Sequence, residues 1–211
     1  IEIYSFAMDL NCPNAPLDIY NRCMELGIIV NMVINTAGMG HLGSFCDYDY
    51  RFYQRILRLN IESVVVLTRL FLPDMRKLDH AYILNLGSLA SFYPIPFKIV
   101  YASSKTFVYS FSRALKTELK NTPMKVSVLC PGPIMTNQEV LERIRQGGIW
   151  AKMTTMRANK MAEIAISSLL KGKAVIIPGL VNKFISLITM VVPIGLKQRF
   201  MFRKFNVRNK I

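Results

Sequence analysis

Tyr101 and Lys105 stand four residues apart in the segment Tyr101-Ala-Ser-Ser-Lys105. On a helix, that spacing places both side chains on one face, one turn apart. A phenol has a pKa of about 10 and is a poor acid or base at neutral pH, but a nearby ammonium lowers that pKa. Such a tyrosine can exchange a proton with a carbonyl or alcohol oxygen. Because the same spacing also arises by chance on a surface helix, the interpretation depends on the neighbouring segments.

Other polar residues lie where apolar runs end or are interrupted. Ser88 follows one run and precedes Tyr101 by 13 residues. Asn60 interrupts a long apolar stretch, and two small-residue segments, Asn35-Thr-Ala-Gly38 and Pro131-Gly-Pro-Ile-Met-Thr136, end two other runs. Alone, Ser88 fits equally a turn hydroxyl that caps the next segment, and Asn60 fits a residue that bonds the backbone at a helix bend.

Strands and helices alternate along the chain. Short apolar runs predict strands at residues 1–6, 32–35, 81–86, 125–130 and 174–177, and amphipathic stretches predict helices at 15–26, 48–77, 100–120 and 158–171. The strands are continuously apolar, so both faces of the sheet should be covered by helices. This order predicts a doubly wound parallel α/β sheet, in which ligands bind beyond the carboxyl ends of the strands.

Taken in order from Asp9 to Gly179, these segments resemble the short-chain dehydrogenase/reductase family, which implies a Rossmann-like fold and NAD(P)-dependent interconversion of a carbonyl and a secondary alcohol. The resemblance implies that Tyr101 donates or accepts the proton, and that Lys105 lowers the pKa of this tyrosine and binds the nicotinamide ribose. It implies that Ser88 donates a hydrogen bond to the substrate oxygen and that Asn60 holds a water in the proton relay.

The resemblance also implies a set of cofactor-binding residues. Asn35, Ala37 and Gly38 would lie against the adenine ribose side, with Thr36 where the family has a second asparagine. Asp9 would meet the adenine ring, although an ordinary turn aspartate reads the same way. The residues expected near the nicotinamide are Pro131, Gly132 and Thr136. We expect NADP as the cofactor, with NAD as the alternative.

One family element is missing from the sequence. No Thr-Gly-x-x-x-Gly-x-Gly turn precedes Asp9, and such a turn receives the pyrophosphate at the start of the first helix. We therefore expect a strand–helix–strand unit and a further helix, roughly 50 residues, before Ile1. Residues 1–180 are interpreted as an incomplete Rossmann-like domain and 181–211 as an apolar, basic tail. We expect the 211-residue chain alone to bind NADPH weakly by isothermal titration.

Two functions follow from this departure. The first is an oxidoreductase that is present here without its phosphate-binding unit. The second is a non-catalytic scaffold or sensor of the same fold that no longer binds nucleotide. The coding sequence upstream of Ile1 would discriminate between them, because a Gly-rich turn there supports the enzyme and a stop codon supports the scaffold.

Charge and composition exclude several classes of protein. The 211 residues are 52% hydrophobic, which excludes a disordered chain. The net charge of +14 lies in the second half, because residues 1–100 hold 8 basic and 9 acidic side chains, and residues 101–211 hold 19 and 4. Without a basic–aromatic motif this charge does not predict nucleic-acid binding.

Four cysteines without a CxxC pair predict free thiols in a reducing compartment, the cytoplasm. The two distant histidines predict no metal site.

The substrate is expected to be a hydrophobic carbonyl or alcohol, such as a steroid or a long-chain oxoacyl compound. The expected contacts are Ala90, Phe92, Pro94 and Phe97, with a lid at 137–159 that contains Trp150. The alternative is that these residues only pack the lid.

We also expect a homo-oligomer. From Asn182 to Ile211 the tail has seven basic residues and no acidic one, which predicts contact with an anionic membrane; the alternative is a helix packed on the domain or on a partner subunit.

Overall fold

The computed structural model describes residues 2–135 and 153–206. Four parallel strands form one sheet in the order β1 (Met32–Asn35), β2 (Ala81–Leu86), β3 (Met124–Leu129) and β6 (Val175–Ile176). Two short parallel strands, β4 (Ile134–Met135) and β5 (Met156–Arg157), pair apart from it.

Helices connect the strands. They are α1 (Ala15–Glu25), α2 (Tyr50–Leu57), α3 (Ser63–Met75), α4 (Ile99–Glu118), α5 (Ala158–Leu170), α6 (Leu180–Val191) and α7 (Ile194–Asn206). Short 3-10 turns form at Phe45–Asp47 and Leu89–Phe92. The parallel sheet flanked by helices confirms the predicted fold class. The bounds of its four strands agree with the sequence prediction within one residue at each end.

Buried side chains fill both sides of the sheet, which explains why its central strands are apolar without alternation. On one side, Ile83 and Val126 pack with Phe71 of α3 and Leu115 of α4. On the other side, Leu84, Leu129 and Ile176 pack with residues of α5, chiefly Met161 and Leu169. The sheet is therefore held between two helical layers, and its carboxyl ends are free to carry a site.

The prediction for residues 1–6 is wrong for the described part of that segment. Residues 2–6 form no strand, and Ile3 is 87% exposed. An extended segment becomes a strand only when a neighbour supplies its ladder hydrogen bonds, and none of the described strands pairs with it. Ile34 of β1 is 42% exposed, so the expected helical cover on both faces of the sheet is incomplete at this strand.

The helix predicted over 48–77 is divided into three parts. A π-helical turn at Arg58–Glu62 separates α2 from α3 and contains Asn60. Such a turn inserts one extra residue into the helix and often occurs at functional sites. It changes the direction in which Asn60 projects relative to an unbroken helix.

Candidate active site

The predicted site residues meet where β1, β2 and β3 end. Asn35 closes β1, Ser88 follows β2, and Pro131 and Gly132 follow β3. The first two turns of α4 carry Tyr101 and Lys105 to the same edge. Because parallel strands bring their carboxyl ends together, residues far apart in sequence form one cluster here.

Lys105 is buried at this edge and pairs with the sheet. It is 4% exposed, and its Nζ donates a 2.8 Å hydrogen bond to the Leu86 carbonyl oxygen at the end of β2. Burial lowers the pKa of Lys105 from 10.5 to about 8, and the Cys130 thiol partly opposes this shift. The ammonium therefore stays charged at neutral pH but loses its proton in mildly alkaline solution.

Tyr101 and Ser88 interact directly. Burial raises the pKa of Tyr101, and a hydrogen bond with the Ser88 side chain lowers it in part. The pKa of Tyr101 is therefore raised overall, whereas the family resemblance implies that it is lowered. The reason is that desolvation of the phenolate is the larger effect here. Ser88 Oγ also accepts a 3.1 Å bond from the Ala90 backbone N–H. The hydroxyl thus caps the following turn and faces Tyr101 as well.

Asn60 holds the loop that follows β1. Its Oδ1 accepts from the Met39 backbone N–H at 2.9 Å, and its Nδ2 donates to the Met39 carbonyl and to Ser104 Oγ, each at 2.9 Å. Both amide hydrogens are therefore used within the protein. The backbone-bonding alternative describes this side chain well, and the relay role stays a prediction.

Two glycines let that loop lie close to the tyrosine and the lysine. A Cβ on Gly38 would lie 3.2 Å from both Asn60 Oδ1 and Lys105 Nζ. A Cβ on Gly40 would lie 3.0 Å from the Tyr101 ring. A larger residue at either position would push the loop away from the cluster, so the loop, Asn60 and α4 form one packed unit.

A cavity of about 220 Å³ opens at the end of β1, on the side where the adenosine half of a dinucleotide is expected. Asn35, Thr36 and Ala37 line it, together with Leu10 and Val64. Asn35 does not point its amide freely into this space, because its Nδ2 donates to Asn85 Oδ1 at 2.8 Å. Its visible role is to tie β1 to β2.

Asp9 lies just before this cavity on an exposed turn. Its Oδ1 accepts from the Asn11 backbone N–H at 2.9 Å and from Asn11 Nδ2 at 3.0 Å. These bonds hold the pKa of Asp9 below its ordinary value. The turn-aspartate alternative accounts for what is seen, and contact with an adenine ring stays a prediction.

The segment after β3 is packed tightly. A Cβ on Gly132 would lie 2.5 Å from the Thr154 carbonyl oxygen and 3.0 Å from Asn182 Nδ2. Asn182 is buried and donates to the carbonyl oxygens of Thr154 and Pro178. Pro131 and Gly132 therefore sit at the sheet edge as predicted, whereas Thr136 and Trp150 lie outside the described residues.

Gly132→Ala should destabilise the protein by about 1–3 kcal/mol, because the added methyl overlaps a backbone oxygen that cannot rotate away. Urea unfolding followed by circular dichroism measures the change. Gly195→Ala is the matched control, because an added Cβ at this helical glycine has nothing within 4 Å. This variant should raise the free energy of unfolding by up to about 1 kcal/mol. Equal stability of Gly132→Ala and the parent would contradict the tight approach at this strand end.

Sequence reasoning missed several buried polar residues behind the site. Asn85 Nδ2 donates to Ser112 Oγ at 2.9 Å, which links β2 to α4. Ser91 Oγ donates to the Lys105 carbonyl at 2.8 Å, and Ser104 Oγ donates to the Tyr101 carbonyl at 2.8 Å. Burial raises the pKa of the Cys130 thiol to about 12. The one signal for this layer was Asn85 itself, a polar residue inside an apolar strand.

An apolar cluster covers the site beside Tyr101. Ala90, Ile95 and Ala102 are buried in it, with Tyr93 and Phe97 packed against them. Phe97 has a φ of +64°, which is rare for a bulky residue, so the surrounding packing fixes its ring here. Of the predicted substrate contacts, Ala90 and Phe97 join this cluster, whereas Phe92 packs with Val108 and Cys130.

No group of three or more His, Cys, Asp or Glu side chains that could hold a metal ion occurs within residues 2–135 and 153–206. The chemistry of the cluster is that of neighbouring hydroxyl, phenol and ammonium groups. Such a set can donate a proton to an oxygen and stabilise negative charge on it.

Comparison with known proteins gives a consistent family. The family model described as short chain dehydrogenase matches residues 1–146. A mouse 17-beta-hydroxysteroid dehydrogenase type 3 is 35% identical over 125 residues, which cover 56% of this chain and 40% of that protein. Three further curated relatives are covered over only 36%, 41% and 44% of their length.

Solved structures show the same architecture. A 7beta-hydroxysteroid dehydrogenase superposes with a TM-score of 0.81 at 18% identity, covering 92% of this chain and 74% of that one. A short-chain dehydrogenase from Sphingobium yanoikuyae in complex with NADPH has a TM-score of 0.69 at 25% identity, over 86% and 70% of the two chains. The first of these likenesses bears on the fold alone.

Proposed function

The chain belongs to the short-chain dehydrogenase family, and we propose that it reduces a lipophilic ketone to a secondary alcohol with NADPH. The observation that carries the proposal is the meeting of Tyr101, Lys105 and Ser88 at one sheet edge, beneath an apolar cluster. This arrangement supports proton transfer to a carbonyl oxygen held among these groups.

The residues at the carboxyl end of β1 suit a nicotinamide dinucleotide. The cavity beside Asn35, Thr36 and Ala37 is lined mainly by apolar side chains, which suit a flat base. A Cβ on Gly38 would lie 3.2 Å from Lys105 Nζ, so the glycine leaves this approach to the ammonium open for a ribose hydroxyl. When bound, the cofactor supplies the hydride. NADP is preferred on the strength of the NADPH-bound relative, and NAD is the alternative.

In a reduction, Tyr101 would donate the proton. Burial raises the pKa of Tyr101, which favours the protonated phenol. A protonated phenol can donate its proton to the carbonyl oxygen, which gains negative charge as a ketone is reduced. Ser88 would donate a second hydrogen bond to that oxygen, and the charged Lys105 would stabilise the phenolate left behind. Asn60 and Ser104 would keep the loop and α4 in register.

The substrate class is inferred from the cover of the site. Tyr93 and Phe97 are only partly buried and present carbon surface next to Tyr101, above the buried Ala90 and Ile95. A steroid is one fitting substrate, in line with the steroid dehydrogenase among the relatives, and a long-chain oxoacyl compound is another. The expected homo-oligomer and cytoplasmic location stay predictions.

The test is a reductase screen of the full-length gene product, with whatever residues its gene encodes before Ile1. NADPH consumption is followed by absorbance with ketones of increasing apolar area, and with short polar ketones as controls. Rates that rise with apolar area support the proposal. Tight NADPH binding without turnover of any ketone would contradict it, and absence of nucleotide binding would favour the scaffold alternative.

A further inference from the structure

Helix α6 shows its apolar face to solvent. Leu180, Phe184, Leu187, Ile188 and Val191 recur at the spacing of one helical stripe and are all exposed, with Leu180 at 82%, Phe184 at 64% and Val191 at 79%. The face turned toward the protein is polar, because Asn182 and Ser186 are buried there. This is the reverse of the pattern of a helix that covers a water-exposed domain.

Helix α7 extends the exposed apolar surface. Ile194, Leu196, Phe200 and Phe202 are exposed along it. The helix is fixed to the rest of the protein, because Met201 is buried in the cluster beside Tyr101 and Lys197 Nζ donates to the Thr189 carbonyl of α6. We call the exposed side chains of α6 and α7, apolar and basic together, the tail surface.

The tail surface carries only positive charge. Lys183, Arg199 and Arg203 are exposed among its apolar side chains, and no acidic residue follows Glu163 in the sequence. Exposed carbon surface of this extent marks an interaction site. The single sign of charge selects a partner that is both apolar and negatively charged.

From this charge and this exposure, we propose that the tail surface binds the face of an anionic phospholipid bilayer. Its apolar side chains would enter the boundary between headgroups and acyl chains, and its basic side chains would contact the lipid phosphates. In the described part of the chain, no helix has the length and hydropathy needed to span a bilayer. The two helices would therefore lie in the plane of the membrane.

The tail surface adjoins the site. Phe202 stacks on Phe97 with ring centroids 6.3 Å apart, and Met201 packs with Ala90, Ile95 and Ala102. A lipophilic ketone dissolved in the bilayer would thus reach the apolar cluster without crossing water. This consequence rests on the proposed function, whereas binding to the bilayer does not.

The test is flotation of the full-length protein with vesicles of phosphatidylcholine alone and of phosphatidylcholine with about one third phosphatidylserine. We expect at least tenfold tighter binding to the anionic vesicles, weakening as salt is raised. Phe184→Glu with Leu187→Glu should abolish binding, whereas Ile29→Glu, at a residue that is exposed but outside the tail surface, should leave it unchanged.

A second pair of variants tests the charge. Lys183→Glu with Arg199→Glu should weaken binding at least tenfold, while Lys120→Glu with Lys171→Glu, the same change in net charge at exposed positions elsewhere, should have less than a threefold effect. Absence of flotation with both vesicle types would overturn the proposal. So would a dimer, seen by light scattering, that dissociates in the Phe184→Glu and Leu187→Glu variant, because a second copy of the chain would then cover the surface. None of these readouts requires enzymatic activity.

Discussion

Replacing Tyr101 with phenylalanine is expected to lower ketone reduction by about 10²- to 10⁴-fold, the usual contribution of a positioned proton donor. The substitution removes one hydroxyl and its hydrogen bond to Ser88, which should cost only about 1 kcal/mol of stability. Cofactor affinity should stay within a few fold, because Tyr101 is not among the predicted cofactor contacts. Steady-state kinetics and NADPH titration measure the two effects separately.

Tyr93→Phe is the matched control for this loss. Tyr93 packs in the same apolar cluster as Tyr101, and burial raises the pKa of Tyr93 too. It lies before α4, however, and lacks the four-residue spacing to Lys105. Its loss should change turnover by less than a few fold. Full turnover in Tyr101→Phe, or an equal loss in both variants, would remove Tyr101 from the proton-transfer step.

Replacing Lys105 with methionine is expected to change how stability depends on pH. In the parent, the pKa of Lys105 is 10.5 when unfolded and about 8 when folded. Between these values the unfolded chain holds a proton that the folded protein lacks, so this lysine makes the free energy of unfolding rise with pH. Below pH 8, Lys105 is protonated in both states, and burial of the charged ammonium then lowers the free energy of unfolding by its full amount.

The methionine variant lacks this dependence. Its stability advantage over the parent should therefore be about 2 kcal/mol larger at pH 7 than at pH 10. Urea unfolding at both pH values measures it, and the Cys130 thiol, present in both proteins, largely cancels from the difference. Lys120→Met, at an exposed position past the end of α4, is the control and should follow the parent. The same difference in stability at both pH values would contradict the buried state of Lys105.

Much of the site's position follows from local sequence. The runs that form β1, β2 and β3 are short, apolar and bounded by small or polar residues, so their carboxyl ends could be placed from the chain alone. The four-residue spacing of Tyr101 and Lys105 was sufficient to put them on one helical face. The family is confirmed by the match over residues 1–146.

What the sequence could not supply is the partner of each polar group. Asn60 has four hydrogen-bonding positions and no preferred neighbour in sequence; its bonds to Met39 depend on a loop 21 residues away and on a π-helical turn that hydrophobic periodicity does not reveal. The raised pKa of Tyr101 likewise depends on burial by residues 90–102 and 201. Neither effect has a local signal.

Residues 2–6 and the tail helices differ from expectation for a related reason. A strand needs a neighbouring strand, and residues 2–6 have none among the described residues, although their composition favours extension. Residues 181–211 are predicted from the sequence to be an apolar, basic tail that contacts an anionic membrane, or a helix packed on the domain or on a partner subunit. The structure adds that Asn182 and Ser186 face the protein, so the apolar residues of α6 are left outside.

The most direct test of the proposed chemistry is to follow a deuterium label. The full-length protein is supplied with NADPH, and in parallel NADH, carrying deuterium at both hydrogens of the nicotinamide C4, together with a lipophilic ketone that passes the reductase screen. The account predicts an alcohol with one deuterium on the carbinol carbon, formed at least a hundredfold more slowly by Tyr101→Phe than by the parent. Product without deuterium, or equal labelled product from Tyr101→Phe, would contradict it.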